Sequence, residues 1–188
     1  MNIQNTTHYG CTGCSACVQV CPNKAIVMQF DKDGFETPVV RKELCDDCGI
    51  CANTCHATRP ETKPNAILKA FYGWNLNEEA RRLSSSGGIF AALANNCFNQ
   101  NGVVYGASCD FESIKVLHTC SSPFPKILRS KYVQSSTTDA FAEMLHSADK
   151  AKKILFCGTP CQVAGLKGML KGCDSNLVFK FSTSWRKC

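Results

Sequence analysis

The sequence predicts an α+β protein in two units: a small cysteine-dense unit over residues 1–73, then an α/β unit over 74–188 with a partly parallel sheet. Three observations carry this expectation. Eight of the fifteen cysteines fall between Cys11 and Cys55, while the other seven are scattered from Cys97 to Cys188. The dense part repeats at an offset of 34 residues, so that Cys11, Cys14, Cys17 and Cys21 recur as Cys45, Cys48, Cys51 and Cys55. From residue 84 onward the hydrophobic pattern changes to alternating helix and strand.

In the first unit, residues 25–30 and 35–40 flank Asp31-Lys32-Asp33-Gly34 and read as a hairpin with a glycine-containing turn. The repeat echoes beyond the cysteines, where Ala25-Ile26-Val27-Met28 matches Ala66-Ile67-Leu68-Lys69. Residues 59–64 hold two prolines and read as an extended loop. A short helix over 76–83 links the units. In the second unit, 89–98 and 139–146 have helical spacing, and 103–107 and 114–117 read as strands. Residues 154–156, 163–170 and 177–181 form a strand–helix–strand unit of a parallel sheet, and the last strand is expected at its centre.

The first cysteine motif is Cys11-x2-Cys14-x2-Cys17-x3-Cys21-Pro22, and the second is Cys45-x2-Cys48-x2-Cys51-x3-Cys55-His56. Two-residue gaps let one turning loop present three thiolates to three irons of a 4Fe–4S cubane. The fourth cysteine is expected on the following short helix, facing the other way, where it serves the other cluster. Cys11, Cys14, Cys17 and Cys55 are therefore assigned to one cluster, and Cys45, Cys48, Cys51 and Cys21 to the other. Small residues between the ligands (Thr12, Gly13, Ser15, Ala16, Gly49, Ile50) let backbone N–H groups reach the sulfurs. Structural zinc is the alternative, but zinc sites use two separated cysteine pairs rather than such quartets. His56 stands where the first motif has proline and reads as a tolerated turn variant.

Composition sets the remaining bounds. A hydrophobic fraction of 44% with 19% charged residues is ordinary for a globular chain. No run of 18 apolar residues occurs and the N-terminus is polar, so a cytoplasmic protein with no membrane span is expected. The formal charge is +6, and two oxidised clusters of roughly −2 each would bring it to about +2. Basic residues never run longer than two, so no nucleic-acid partner is expected.

Three loops in the second unit precede expected helices: Ser84-Ser85-Ser86-Gly87-Gly88, Lys131-Tyr132-Val133-Gln134-Ser135-Ser136 and Gly158-Thr159-Pro160-Cys161-Gln162. Each either exposes N–H donors to a phosphate or serves only as a helix cap. Cys161, between a strand's carboxyl end and a helix N-terminus, is open to three roles: ligand of a further cluster, contact of a flavin, or inert buried thiol. Cys97, Cys109, Cys120, Cys157 and Cys173 show no ligand spacing and read as core or surface thiols.

On its cysteine motifs, the stretch 11–68 resembles a bacterial two-cluster 4Fe–4S ferredoxin domain. Residues 84–177 carry four ordered motifs: Ser84-Ser85-Ser86-Gly87-Gly88-Ile89-Phe90, Gly102-Val103-Val104-Tyr105-Gly106-Ala107, Ser130-Lys131-Tyr132-Val133-Gln134-Ser135 and Phe156-Cys157-Gly158-Thr159-Pro160-Cys161-Gln162. Together they resemble the β-subunit family of coenzyme F-420 hydrogenases and dehydrogenases. That resemblance implies FAD as a second cofactor, with Ser85, Ser86, Gly87, Gly88, Lys131, Gln134, Ser135, Gly158, Thr159 and Cys161 as its binding residues. It also implies an oxidoreductase subunit that passes electrons between the clusters and a flavin, with a redox partner protein as donor or acceptor. The alternative is a non-enzymatic electron carrier whose second unit only docks a partner. The family continues well past residue 177 with a larger C-terminal domain. This chain is therefore expected to be a truncated version whose turnover and stability depend on a partner subunit.

Overall fold

A two-stranded and a four-stranded sheet organise the chain in the computed structural model, which describes residues 1–5, 10–58, 71–120, 124–147, 153–171 and 178–182. The expected extended loop at 59–64, the echo at 66–69 and Cys173 lie outside the described residues.

The first unit has the expected repeat. Helix α1 (Ala16–Gln19) precedes strands β1 (Ile26–Phe30) and β2 (Glu36–Val40), which pair antiparallel from Ile26↔Val40 to Phe30↔Glu36. Their turn is fixed by Asp31, whose Oδ1 accepts from the Asp33 and Phe35 amides, and by Gly34 at φ 81°. Helix α2 (Ile50–Thr54) is the counterpart of α1. The duplication reaches into the backbone. Gly13 and Asp47, 34 residues apart, both take positive φ, at 66° and 55°. Ser15 and Gly49, also 34 apart, are the left-handed N-caps of α1 and α2, at 54° and 77°.

Helix α3 (Glu78–Arg82) starts where Asn77 accepts from the Ala80 amide. Helix α4 (Ile89–Asn99) buries Ala91, Ala94 and Cys97. Strands β3 (Val103–Asp110) and β4 (Lys115–Cys120) form an antiparallel hairpin. Helix α5 (Thr138–Ser147) precedes β5 (Ile154–Gly158), α6 (Pro160–Met169) and β6 (Val178–Ser182). The sheet order is β4-β3-β5-β6, with β5 parallel to both β3 and β6. The partly parallel sheet is thus present. The strand expected at its centre is instead the outermost one among the described residues, because β3, not a later strand, occupies the other side of β5.

One core crosses the boundary between the units. Ala16 of α1 packs in the same buried cluster as Tyr105, Ala140, Phe141, Met144, Ile154, Phe156 and Leu166, with Cys14 and Val20 against it. Helix α6 approaches closely enough that a Cβ on Gly165 would lie 2.8 Å from Cys14 Sγ. A second cluster of Ile3, Cys17, Ile26, Val40 and Cys51 belongs to the first unit alone. Phe141 is fully buried in the shared core. Phe141→Ala is therefore expected to cost about 3–5 kcal/mol and to lower the urea midpoints of both units together. Separate transitions, with only the second unit weakened, would contradict a common core.

Candidate metal centre

Two cavities lie in the first unit, and each is ringed by four cysteines. The first is lined by Cys11, Cys14, Cys17 and Cys55, together with Gly13, Ser15, His56 and other small residues. The second is lined by Cys21, Cys45, Cys48 and Cys51, with Asn2, Pro22, Asp46 and Gly49 among its walls. In each case three cysteines come from one repeat and the fourth from the other. Helices α1 and α2 carry Cys17 and Cys51. The fourth cysteines do not sit on these helices: Cys21 follows the C-cap Val20, and Cys55 is itself the C-cap of α2 in extended conformation. Leaving the helix there is what turns each thiol towards the other repeat's loop.

The donor chemistry fits iron–sulfur clusters. Four soft thiols surround each cavity. Amides point at the sulfurs: Gly13 N–H to Cys11, Ala16 N–H to Cys14, and Ile3 and Ala52 N–H to Cys51. The Ala25 amide donates to Cys21 Sγ at 3.3 Å. Alternation of left- and right-handed residues makes such concave amide nests, which suit anionic clusters. Burial pushes the Cys14 thiol up to about 11, and it raises Cys17 and Cys11 as well. Their thiolates thus need a cationic partner inside the fold, which iron supplies.

The two cavities differ in their surroundings. The first faces the second unit. Thr137, wholly buried, donates from Oγ1 to the Cys14 carbonyl at 2.9 Å. With that proton committed, the Ser15 hydroxyl is the donor in the 2.9 Å bond between Ser15 Oγ and Thr137 Oγ1. Gln134 accepts from the Glu36 amide at 2.8 Å and reaches the Thr12 carbonyl, and a Cβ on Gly13 would collide with its Nε2. Gln19 Nε2 donates to the Thr138 carbonyl at 2.8 Å. His56 forms a 3.1 Å hydrogen bond with Thr12, a specific partner for the residue read as a turn variant. The second cavity has Asn2 in its wall. Asn2 approaches Cys45 Sγ at 3.7 Å and bonds Asp47 at 2.8 Å, while Cys48 is exposed.

Residues of the three helix-start loops are joined to one another. Ser85 Oγ accepts from the Ser130 amide at 2.8 Å, and Gln162 Nε2 donates to the Ser135 carbonyl and hydroxyl. Thr159 and Gln162 form a capping box at the start of α6, and Thr159 Oγ1 lies 2.9 Å from Cys161 Sγ. Cys161 also lies near enough to Cys14 to act on it electrostatically. Lys131 spends its ammonium on the carbonyls of Lys126, Leu128 and Arg129. Gly87 is needed for close packing, since a Cβ there would lie 2.9 Å from the Gly73 carbonyl. Gly88 caps α4 with φ 74°, and Gly158 is held against Phe156 and Gln162. Of the remaining thiols, Cys97 is buried, Cys157 half-buried, and Cys109 and Cys120 exposed.

Sequence reasoning missed His118. Its Nε2 lies 3.0 Å from the Cys157 carbonyl and must carry the proton. Nδ1 therefore accepts from Ser135 Oγ, also at 3.0 Å, and the ring stacks on Phe156. Ser136 pairs with β4 through its own amide and carbonyl, to Val116 and from His118. Together these bonds pin residues 135–136 to the sheet and so set the place of Thr137. Only the run of Ser and Thr over 135–138 hinted at this role.

Comparison with known proteins places a 4Fe-4S dicluster domain at residues 10–58. A coenzyme F420-dependent sulfite reductase of Methanocaldococcus jannaschii is 25% identical over 166 residues, covering 84% of this chain and 24% of that protein. An uncharacterized protein of the same organism is 24% identical over 210 residues, covering 94% of this chain and 57% of that protein. The chain therefore spans 57% or less of the length of these relatives. The dicluster domain supports an iron–sulfur electron-transfer role. No helix among the described residues is long and apolar enough to cross a membrane.

The His118 network carries a pH signature. Desolvation, first, and the charge of Lys131 outweigh the Cys157 carbonyl bond and hold the imidazole down at about 4, against 6.5 for a free histidine. The unfolded chain takes up the proton first, so this site's stabilisation is complete above pH 6.5 and is lost as pH falls towards 4. His118→Gln is expected to lower the urea midpoint at pH 7.5 and to flatten its fall between pH 7 and 5. Parallel pH profiles for the two proteins would show that His118 is not held neutral by the fold.

Proposed function

We propose that this chain is an electron-transfer subunit of an oxidoreductase, holding two 4Fe–4S clusters with exchanged fourth ligands. Cys11, Cys14, Cys17 and Cys55 hold one cluster, and Cys45, Cys48, Cys51 and Cys21 hold the other. The observation that carries this reading is that the four thiols around each cavity come from both repeats, three from one and the fourth from the other. A reducing, cytoplasmic setting suits such chemistry, because it keeps ligand thiols free for iron. The exposed Cys48 beside the second cavity suits exchange with a redox partner protein, and the first cavity adjoins the α/β unit.

The finer part of the proposal is a flavin, FAD, at the joined loops of residues 85–88, 131–135 and 158–161. A flavin exchanges two electrons with a substrate and single electrons with clusters, which is the conversion such a subunit needs. The mutual bonding of these loops at one end of the sheet and the nearness of Cys161 to Cys14 support this placement. The non-enzymatic carrier is favoured by a different observation. Lys131 and Gly87 already serve protein contacts, which leaves the loops less free to bind a phosphate.

Anaerobic purification with iron, sulfide and flavin analysis tests both readings. About eight iron and eight sulfide per chain with bound FAD are expected for the relay; the same iron and sulfide without flavin would favour the carrier. Values near four would remove the second cluster. Ligand exchange has its own test: Cys21→Ala should disrupt the cluster of Cys45, Cys48 and Cys51 and abolish spin coupling in the reduced EPR spectrum, leaving one 4Fe–4S signal. An assignment by repeat would be required if Cys55→Ala emptied the Cys45 loop and spared the Cys11 loop.

A further inference from the structure

We infer that Thr137 is a positioning residue for the first quartet and makes its cluster harder to oxidise than the ligand loop alone would, through a clamp that the second quartet lacks. The inference rests on the two-cluster reading above. The chain supplies its own control, because the two ligand loops are copies. At the left-handed N-cap, the second loop has Gly49, which takes φ 77° without steric cost. The first loop has Ser15 at φ 54°, a conformation that disfavours any side chain. Its hydroxyl supplies a reason: buried at 2% exposure, it donates to Thr137, which in turn donates to the Cys14 carbonyl. Among the described residues no such bond across the units reaches Gly49, which has no side chain to make one.

Thr137 is held independently of the loop it serves. Backbone bonds from Ser136 to β4 and the His118–Ser135–Gln162 network fix the preceding residues, and Thr137's carbonyl begins α5 by accepting from the Phe141 amide. The hydroxyl is thus presented to Cys14 by the sheet. Its electrostatic sign is definite. Donation to the Cys14 carbonyl offsets the negative end of a dipole within the ligand loop, beside a cluster that gains negative charge on reduction. The Ser15 hydroxyl polarises Thr137 in the same sense, so the two bonds strengthen each other. Loss of the Thr137 hydroxyl should make the first cluster harder to reduce and leave the second unchanged.

The test is an EPR-monitored redox titration of the full, anaerobically loaded chain and its Thr137→Val, Thr137→Ser and Ser15→Gly variants. Cys55→Ala, which lacks the first cluster, identifies the signals. Thr137→Val keeps the shape and removes the hydroxyl; the first cluster's midpoint should become more negative while the second stays in place. Thr137→Ser should restore the original value. Ser15→Gly, which suits the left-handed backbone, should shift the same midpoint in the same direction by less. It decides the matter should Thr137→Val fail to load. Full iron and sulfide with both midpoints unmoved, or moved equally, would overturn the role of Thr137. A wild-type chain without iron and sulfide would instead overturn the two-cluster reading and this inference with it.

Discussion

The hydrogen bond from Thr137 to the Cys14 carbonyl joins residues 123 positions apart and ties the cysteine-dense unit to the α/β unit. Around it, the first ligand loop, β2, the start of α5 and the middle of α6 all meet. Gly13 leaves room for Gln134, and Gly165 leaves room for Cys14. An unpaired carbonyl or hydroxyl at this depth would carry a penalty of about 1–3 kcal/mol. The polar contacts at the junction are therefore as restrictive as the apolar packing of Ala16, Phe141 and Leu166 beside them. The cysteine-dense unit and the α/β unit are distinct in sequence, but they are not two bodies joined by a string.

What the sequence made legible was pattern. The hairpin turn depends on residues a few positions apart and the repeat on a fixed offset. The structure has the hairpin in register and matching left-handed N-caps 34 residues apart. Helix α6 begins at Pro160, earlier than the hydrophobic pattern suggested, because Thr159 and Gln162 form a capping box there. The hairpin of β3 and β4 is longer than the apolar runs implied, since Ser108, Cys109 and Thr119 pair through their backbones regardless of polarity. The roles of Thr137, Gln134 and His118 were not legible. Each depends on a partner in a remote segment, and a hydroxyl or amide side chain gives no periodic sign of where it will bond. Gln134 is the instructive case: its motif gave no sign that its amide would bond Glu36 and Thr12 of the first unit.

Duplication usually leads one to expect two equivalent halves, yet the two cavities have unlike environments. Burial raises Cys11, Cys14 and Cys17 together in the first loop, whereas in the second loop it raises Cys51. The second cavity is bordered by Asp46, whose carboxyl is held low chiefly by the Cys48 amide, and by the exposed thiol of Cys48 itself. Each quartet thus keeps one exposed thiol, Cys11 or Cys48, and the difference lies in the partners of the first loop. Those partners, Thr137 and Gln134, are residues that the duplication never contained.

The long reach from Cys14 to Gly165 also bears on the order in which the protein is made. The second cavity has all four of its cysteines by residue 51, and the first has its four by residue 55. Thr137 and Gly165, which close the first from outside, come 82 and 110 residues later (137 − 55 and 165 − 55). At about 5–20 residues per second, a ribosome needs roughly 5–20 s to add that final stretch. During this interval the Cys11 loop has its four cysteines but not yet the contacts that Thr137 and Gly165 make with Cys14.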